Sequence, residues 1–154
     1  MTIAPIVQSA VVDVPPARAF SLFAELMGEW WARGKTVGNK PHEAIVIEPM
    51  PGGRWFERDA DGNETMWGNV IEWAPPHRLL LAWRLGPDFA YDPKLETELE
   101  ITFEPEGDGT RVTLEHRHLE RLGARAREIA EKLGNGWPGV FVRFTDFAAK
   151  ATAR

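Results

Sequence analysis

The sequence predicts an α+β fold in which a curved antiparallel sheet packs against a long C-terminal helix. Segments of alternating apolar and polar residues follow one another between residues 43 and 117, and an aromatic stripe at helical spacing runs through residues 124–154. The seven tryptophans are a further indication, because Trp55, Trp67, Trp73 and Trp83 fall on three successive extended segments. Large rings between a curved sheet and a helix leave interstices, so we expect an internal ligand cavity between them.

The composition indicates one globular domain, residues 1–154, since this length suffices for one core and is too short for two ordinary domains. No apolar run is long enough to cross a bilayer, and the absence of cysteine excludes disulfides and thiolate chemistry. The N-terminus lacks the pattern of a secretory signal, so we expect a cytoplasmic protein. A net charge of −5, with acids spread along the chain, argues against nucleic acid as a partner.

The first elements are a strand and a helix. Residues 6–14 are rich in β-branched residues, and Pro16 suits the first turn of a helix. We expect Gly28 to break or bend this helix and residues 33–41 to form a loop. One apolar face of the helix is predicted to pack on the sheet, and it comprises Ala19, Phe20, Leu22, Phe23, Leu26 and Met27.

Next comes a meander of about six strands, whose first clear hairpin turns at Asp61-Gly62. A two-residue loop would place Trp55 opposite Gly68, whereas an odd loop with a bulge at Gly62 would place Trp55 opposite Trp67. The pattern favours the odd loop. That register sends one set of residues to the inner face and Arg54 and Arg58 to the other; the inner set is Trp55, Trp67, Ile71 and Trp73.

The following strands show the same alternation. Leu79, Leu81 and Trp83 share one face, and the connection GPDFAYDP that follows could act as a lid. The final hairpin buries Leu99, Ile101 and Phe103 on one strand and Val112, Leu114 and His116 on the other. The helical C-terminal region is predicted to restart at Pro138, because proline fits a first turn better than a helix interior. Its apolar stripe contains Trp137, Val140, Phe141, Phe144, Phe147 and Ala148.

Six segments in order resemble a known family across nearly the whole chain: VPPARAFSLFAE, WW, IEPMPGGRWFE, WGNVIEWAPPHRLLLAWR, ELEITFEPEGDGTRVTLEHR and GWPGVFVRF. The family is the one related to the C-terminal domain of activators of the Hsp90 ATPase, within the START/polyketide cyclase/Bet v 1-like superfamily. The resemblance implies a helix-grip fold with a cavity between the sheet and the C-terminal helix. It also implies a range of functions, because relatives bind lipids, hormones or polyketides and a few are enzymes.

The candidate cavity combines aromatic walls with a few polar groups, a lining that suits an amphipathic ligand. Four polar residues are predicted to face inward: Glu57, Asn69, Thr97 and His116. Burying Glu57 as a charge is costly, so we expect it to be paired with His116, bonded to an indole N–H, or protonated. The apolar walls are predicted to include Trp31, Trp55, Trp67, Trp83, Leu99, Trp137, Phe141 and Phe144.

The sequence gives less support for a metal site, a serine nucleophile or a phosphate-binding loop. His116 and His118 share a strand face, as in a two-histidine metal site, and a third ligand would have to come from elsewhere, with Glu57 as the candidate. Ser9 and Ser21 are the only serines, and neither lies in a nucleophile elbow. The glycine-containing turns are typical of hairpins and not of phosphate-binding loops, so nucleotide binding is not expected. We also expect no cofactor and no metal.

Three functions remain open. The favoured one is non-catalytic binding of a small hydrophobic molecule, aromatic or lipid-like, with no nucleic-acid or membrane partner. The second is a cyclase- or hydrolase-type enzyme that uses Glu57 and His116 as acid and base. The third is a chaperone-associated protein-interaction module. A homodimer is a further alternative, because the edge strands of the sheet need protection.

Overall fold

A computed structural model describes residues 2–152, so Met1 and the last two residues of the predicted C-terminal helix lie outside the described residues. The elements follow the predicted order. They are β1 (Ile6–Val12), α1 (Pro16–Ala24), α2 (Met27–Trp30), β2 (His42–Ile47), β3 (Arg54–Asp59), β4 (Glu64–Ala74), β5 (Arg78–Trp83), β6 (Thr97–Glu106), β7 (Gly109–Arg117), a 3-10 helix (Leu119–Arg125) and α3 (Ala126–Thr152).

The seven strands form one antiparallel sheet in the order β1-β7-β6-β5-β4-β3-β2. The sheet curls as a half-barrel, and α3 is the long C-terminal helix that accompanies it. The predicted α+β helix-grip fold is therefore confirmed. Within residues 2–152, no helix is both long and apolar enough to cross a membrane.

The core fills the concave face of the sheet. Phe23 of α1 contacts Phe144 of α3 with ring centroids 5.1 Å apart, and Phe20 lies 5.0 Å from the ring of Trp73. Ile101, Phe103, Val112 and Leu114 are fully buried, as their alternation predicts. The buried residues of α1, α3 and these strands belong to one continuous hydrophobic cluster.

The first helix ends earlier than the sequence predicts. It stops at Ala24, and Gly28 lies within the separate turn α2 instead of causing the break. A side chain at Gly28 would come within 2.7 Å of the backbone nitrogen of Ile45, so glycine allows α2 to approach β2 closely. Leu26, predicted on the apolar face, is partly exposed because it lies at this break.

The hairpin of β3 and β4 keeps the odd register only near its turn. Gly62 has a φ of 87°, and Glu57 pairs with Thr65, as the odd loop requires. A bulge at Trp67 then shifts the register by one, so that Trp55 pairs with Gly68 and not with Trp67.

A second register shift in β4 corrects the prediction for Ile71. The shift lies between Val70 and Glu72. As a result Val70 is buried in the core, while Ile71 is 37% exposed. The two shifts together restore the original phase, and Trp73 packs against the core as predicted.

The predicted restart of the C-terminal helix at Pro138 is wrong. The helix α3 is continuous from Ala126 to Thr152, and Pro138 lies inside it. Its buried residues include Leu133, Trp137 and Phe144, which lie on both sides of the proline in one helical phase. Packing of this uninterrupted stripe outweighs the roughly 3 kcal/mol that an internal proline costs.

Candidate ligand-binding site

A pocket of about 400 Å³ opens between α3 and two loops. One loop follows α2, and the other joins β5 to β6. The pocket is lined by Trp31, Gly34, Lys35, Thr36, Trp83, Pro87, Phe89, Ile129, Lys132, Leu133, Gly136, Trp137 and Val140.

Three tryptophans from different elements form the inner wall of this pocket. The ring centroid of Trp137 lies 6.0 Å from that of Trp31 and 5.7 Å from that of Trp83, and both ring pairs are steeply inclined. The indole of Trp31 donates a hydrogen bond of 2.8 Å to the carbonyl oxygen of Lys35. The wall is therefore fixed by ring packing and by hydrogen bonds, and it presents aromatic surface to the opening.

The loop between β5 and β6 forms the outer wall. A bridge between Leu85 and Tyr91 closes it into a small hairpin, with Phe89 near its tip at a φ of 57°. The ring of Phe89 is 48% exposed and lies 6.2 Å from the ring of Trp83. This is the segment predicted as a lid, and one of its aromatic rings borders the pocket.

Trp55 and Trp67 lie behind the wall and do not line the pocket. Both side chains are almost fully buried, with ring centroids 5.3 Å apart. Trp67 also packs on Trp31 at 4.9 Å, and Trp55 on Trp83 at 5.8 Å. These rings fill the space between sheet and helix, so the open volume lies at the mouth of the fold and not at its centre.

The structure shows which partner Glu57 has among those that the sequence allowed. Its side chain is buried, and Oε1 accepts hydrogen bonds from the indole of Trp67 at 2.7 Å and from the backbone N–H of Val37 at 2.6 Å. The predicted indole bond is therefore confirmed. These donors satisfy the buried carboxylate and tie the loop after α2 to the sheet.

His116 belongs to a different network. Its Nδ1 accepts a hydrogen bond of 3.1 Å from the indole of Trp137, so the ring proton resides on Nε2, which lies 2.9 Å from the hydroxyl of Thr97. Thr97 in turn donates to the carbonyl oxygen of Trp83. Burial lowers the pKa of His116 to about 3, so the ring is neutral. Both ring nitrogens are occupied within this network, so the alternative in which Glu57 pairs with His116 is not the one that the structure shows.

Two further predictions from the alternation are corrected. Asn69 lies on the convex face, where its Oδ1 accepts a bond of 3.0 Å from Arg84, because the bulge at Trp67 reverses its orientation. His118 has a left-handed backbone, with a φ of 62°, and its ring lies near Glu98 and Glu120 instead of beside His116. Among the described residues, no group of three His, Cys, Asp or Glu side chains is arranged to hold a metal ion.

Of the predicted site residues, Trp31, Trp83 and Trp137 line the pocket. Several others belong to the packed core around it, namely Trp55, Trp67, Thr97, Leu99, His116, Phe141 and Phe144. Sequence reasoning missed Ile129, Leu133 and Gly136, although they extend the stripe of Trp137 toward the N-terminus at helical spacing. It also missed Lys35 and Lys132, which no pattern singled out.

Comparison with known proteins identifies relatives along nearly the whole chain. Residues 13–149 match the family described as Activator of Hsp90 ATPase homolog 1-like protein. Txn09, an anthrahydroquino-gamma-pyrone synthase, is 35% identical, with a TM-score of 0.66 over 95% of this chain and 97% of its own. CalC, a self-sacrificing resistance protein from Micromonospora echinospora, is 30% identical, with a TM-score of 0.73 over 96% of this chain and 95% of its own.

A third structure, the Aha1 dimer from Colwellia psychrerythraea, shares the fold at 11% identity, with a TM-score of 0.66 over 96% of this chain and 97% of its own. Comparison with proteins of curated function finds no match.

Proposed function

The chain belongs to the Activator of Hsp90 ATPase homolog 1-like family, and from this premise we propose that it binds a small, largely apolar aromatic molecule in the pocket beside α3. The observation that carries the proposal is the wall formed by Trp31, Trp83 and Trp137 around a volume of about 400 Å³. This volume is within the usual range of small-molecule sites, and such sites are lined mainly by apolar and aromatic side chains.

The shape of the wall favours a flat ligand over a flexible chain. The ring of Trp137 is inclined to those of Trp31 and Trp83 by 88° and 58°, so the wall offers both ring faces and ring edges. A planar aromatic molecule can stack on a face and meet an edge at the same time. Txn09 is named for a product with fused aromatic rings, which supports the same class of ligand here.

Binding of an uncharged planar probe tests this proposal. Anthraquinone-2-carboxamide is expected to quench the fluorescence of the wall tryptophans with a saturable profile. Gly136 lines the pocket, and a Cβ at this position would meet no atom within 4 Å, so Gly136→Leu is expected to fill the pocket and to weaken probe binding at least about tenfold. Calorimetry would provide the affinities independently of optical artefacts.

Gly139→Leu is the matched control. Gly139 lies on the same helix, is exposed, and does not line the pocket. The control is expected to bind the probe like the original protein. Absence of probe binding, or equal binding by the Gly136 and Gly139 variants, would contradict the proposal.

A second candidate is a ring-forming enzyme, favoured by the 35% identity with the synthase Txn09. The acid–base pair first expected for this role finds no support, because Glu57 and His116 do not contact each other and neither lines the pocket. Native mass spectrometry of freshly purified protein would separate the two candidates. A bound compound that stays unchanged on incubation supports binding, whereas conversion to a compound of different mass supports catalysis.

The chaperone-associated role and the homodimer have less support than ligand binding. The chaperone-associated module rests on the family resemblance alone. A homodimer stays a prediction, supported by the fact that β1 and β2 are edge strands of the sheet.

A further inference from the structure

The charges that border the pocket have the opposite sign to the chain as a whole. The chain has 23 acidic and 18 basic side chains. Among the residues that line the pocket, however, the only charged ones are Lys35 and Lys132, and none is acidic. Thr36 adds a hydroxyl beside Lys35. A mainly aromatic pocket with two ammonium groups at its edge has the composition expected for an amphipathic anion.

The two lysines come from opposite sides of the opening. Lys35 lies on the loop after α2, and its backbone is held on both sides: its N–H donates to Ala32 at 3.1 Å, and its carbonyl accepts the indole bond of Trp31. Lys132 also lies on α3, five residues before Trp137. Each ammonium group is therefore carried by the same element as one of the wall tryptophans.

Within the described part of the chain, only one of these two lysines has a carboxylate partner. Asp88 and Glu128 both face Arg125, at 3.6 and 3.0 Å, and Glu128 is additionally 3.8 Å from Lys132. The side chain of Lys35 has no ion pair within residues 2–152. Because Glu128 is shared between Arg125 and Lys132, it neutralises Lys132 only in part, and Lys35 stays available.

We propose that the ligand of this pocket is an aromatic acid, whose rings lie against Trp31 and Trp137 and whose anionic group is held between Lys35 and Lys132. The inference rests on the proposed binding function and specifies the ligand class. Because both lysines are exposed, their contribution is modest and sensitive to salt. Their main effect is to orient the acid toward the solvent and to disfavour neutral or cationic analogues.

The test compares anthraquinone-2-carboxylate with anthraquinone-2-carboxamide, which has the same rings without the charge. At low salt, calorimetry is expected to show about tenfold tighter binding of the carboxylate. Lys35→Gln and Lys132→Gln should each reduce the preference for the carboxylate over the carboxamide about threefold. Raising the salt concentration should reduce the preference for the carboxylate.

Lys150→Gln is the matched control, because Lys150 is an exposed lysine on the same helix outside the pocket. It should bind both probes like the original protein. Equal affinity for the two probes, or an unchanged preference in both lysine variants, would overturn the inference while leaving the pocket function intact. If neither probe binds, the proposed function itself fails.

Discussion

At the scale of single residues, the buried polar groups hold aromatic rings in place. Glu57 accepts the indole proton of Trp67, and His116 accepts that of Trp137. Each bond satisfies an indole N–H that would otherwise be buried without a partner, at a cost of about 1–3 kcal/mol. Trp55 differs, because its buried indole nitrogen has no hydrogen-bond partner among residues 2–152. The polar network therefore orients the rings around the pocket and does not supply the pocket lining.

His116 should make stability depend on pH. Its folded-state pKa of about 3 lies below the usual histidine value of 6.5, so between these values the unfolded chain binds a proton that the folded chain does not. The stability that this group contributes is present above pH 6.5 and is lost as the pH falls. From pH 7 to pH 5 the loss should amount to about 2 kcal/mol.

Urea unfolding at several pH values measures this effect. His116→Gln keeps an acceptor for Trp137 and a donor for Thr97 but has no titratable group, so its stability should change less over the same interval. His77→Gln, at an exposed turn position, should retain the slope of the original protein. An equal slope in the His116 variant would show that this histidine is protonated in the folded protein or that another group dominates.

At the scale of elements, α3 combines a strong packing stripe with a weak backbone. Gly134, Gly136 and Gly139 lie in its interior with open space where a Cβ would be, and Pro138 removes one backbone donor. None of these residues is required sterically. They lie in or beside the part of the helix that borders the pocket, so glycine and proline weaken the helix backbone there.

Replacing Pro138 should strengthen α3. Pro138→Ala restores the N–H that can bond to the carbonyl of Gly134 and is expected to raise the free energy of unfolding by about 1–3 kcal/mol. Gly139→Ala, at an exposed neighbour, should raise it by about 0.5–1 kcal/mol. Chemical denaturation of both variants measures the gains. A decrease for Pro138→Ala would mean that the proline ring contributes more by its contacts than its missing donor costs.

Alternation of apolar and polar residues predicts which way a side chain faces only where the strand is regular. The inward residues of β6 and β7 follow strict alternation, and the positions of Leu99 and His116 were predictable because their ladder is regular. In β4 the prediction failed at Asn69 and Ile71, because two bulges shift the register. A bulge is set by packing between strands. The first bulge lies beside Gly68, which has no side chain, so the hydrophobic pattern of the sequence does not reveal it.

The pocket itself was predictable only in part. The sequence predicts its aromatic wall, because tryptophans are large apolar side chains and those of the strands and of α3 lie on the predicted inner face. The lysines and Phe89 come from a loop, a helix surface and a loop tip. Their position depends on how those loops fold back over α3, which no periodic pattern encodes.

At the scale of the whole molecule, the two faces of the sheet have separate roles. The concave face holds the apolar core, whereas the convex face has a network of arginines and glutamates across neighbouring strands. Glu100 accepts hydrogen bonds from Arg78 and Arg117. Burial opposes its ionisation, but these bonds outweigh burial and keep the pKa of Glu100 below its usual value. Charged ladders of this kind keep a broad sheet face hydrated while the pocket opens at its end.

The two edges of the sheet differ, and we expect the predicted homodimer to form through the β1 edge. The β2 edge is covered, because Arg33 bonds to the carbonyl oxygen of His42, and His42 Nε2 lies 2.8 Å from the carbonyl oxygen of Gly28 in α2. On β1, by contrast, Val7 and Val11 are 50% and 47% exposed on one face. An edge strand with exposed apolar side chains favours pairing with a second copy.

Sedimentation equilibrium tests this prediction over a range of protein concentrations. The original protein should approach twice its monomer mass of 17.3 kDa, and a Val7→Lys, Val11→Lys double variant should stay a monomer because the added charges repel each other across the two-fold axis. Val142→Lys is the control, since Val142 is equally exposed, at 50%, but lies on α3. A monomer at all concentrations would refute the homodimer. A dimer that persists in the double variant would assign it to a surface other than β1, and if that surface were beside α3, Val142→Lys would weaken it.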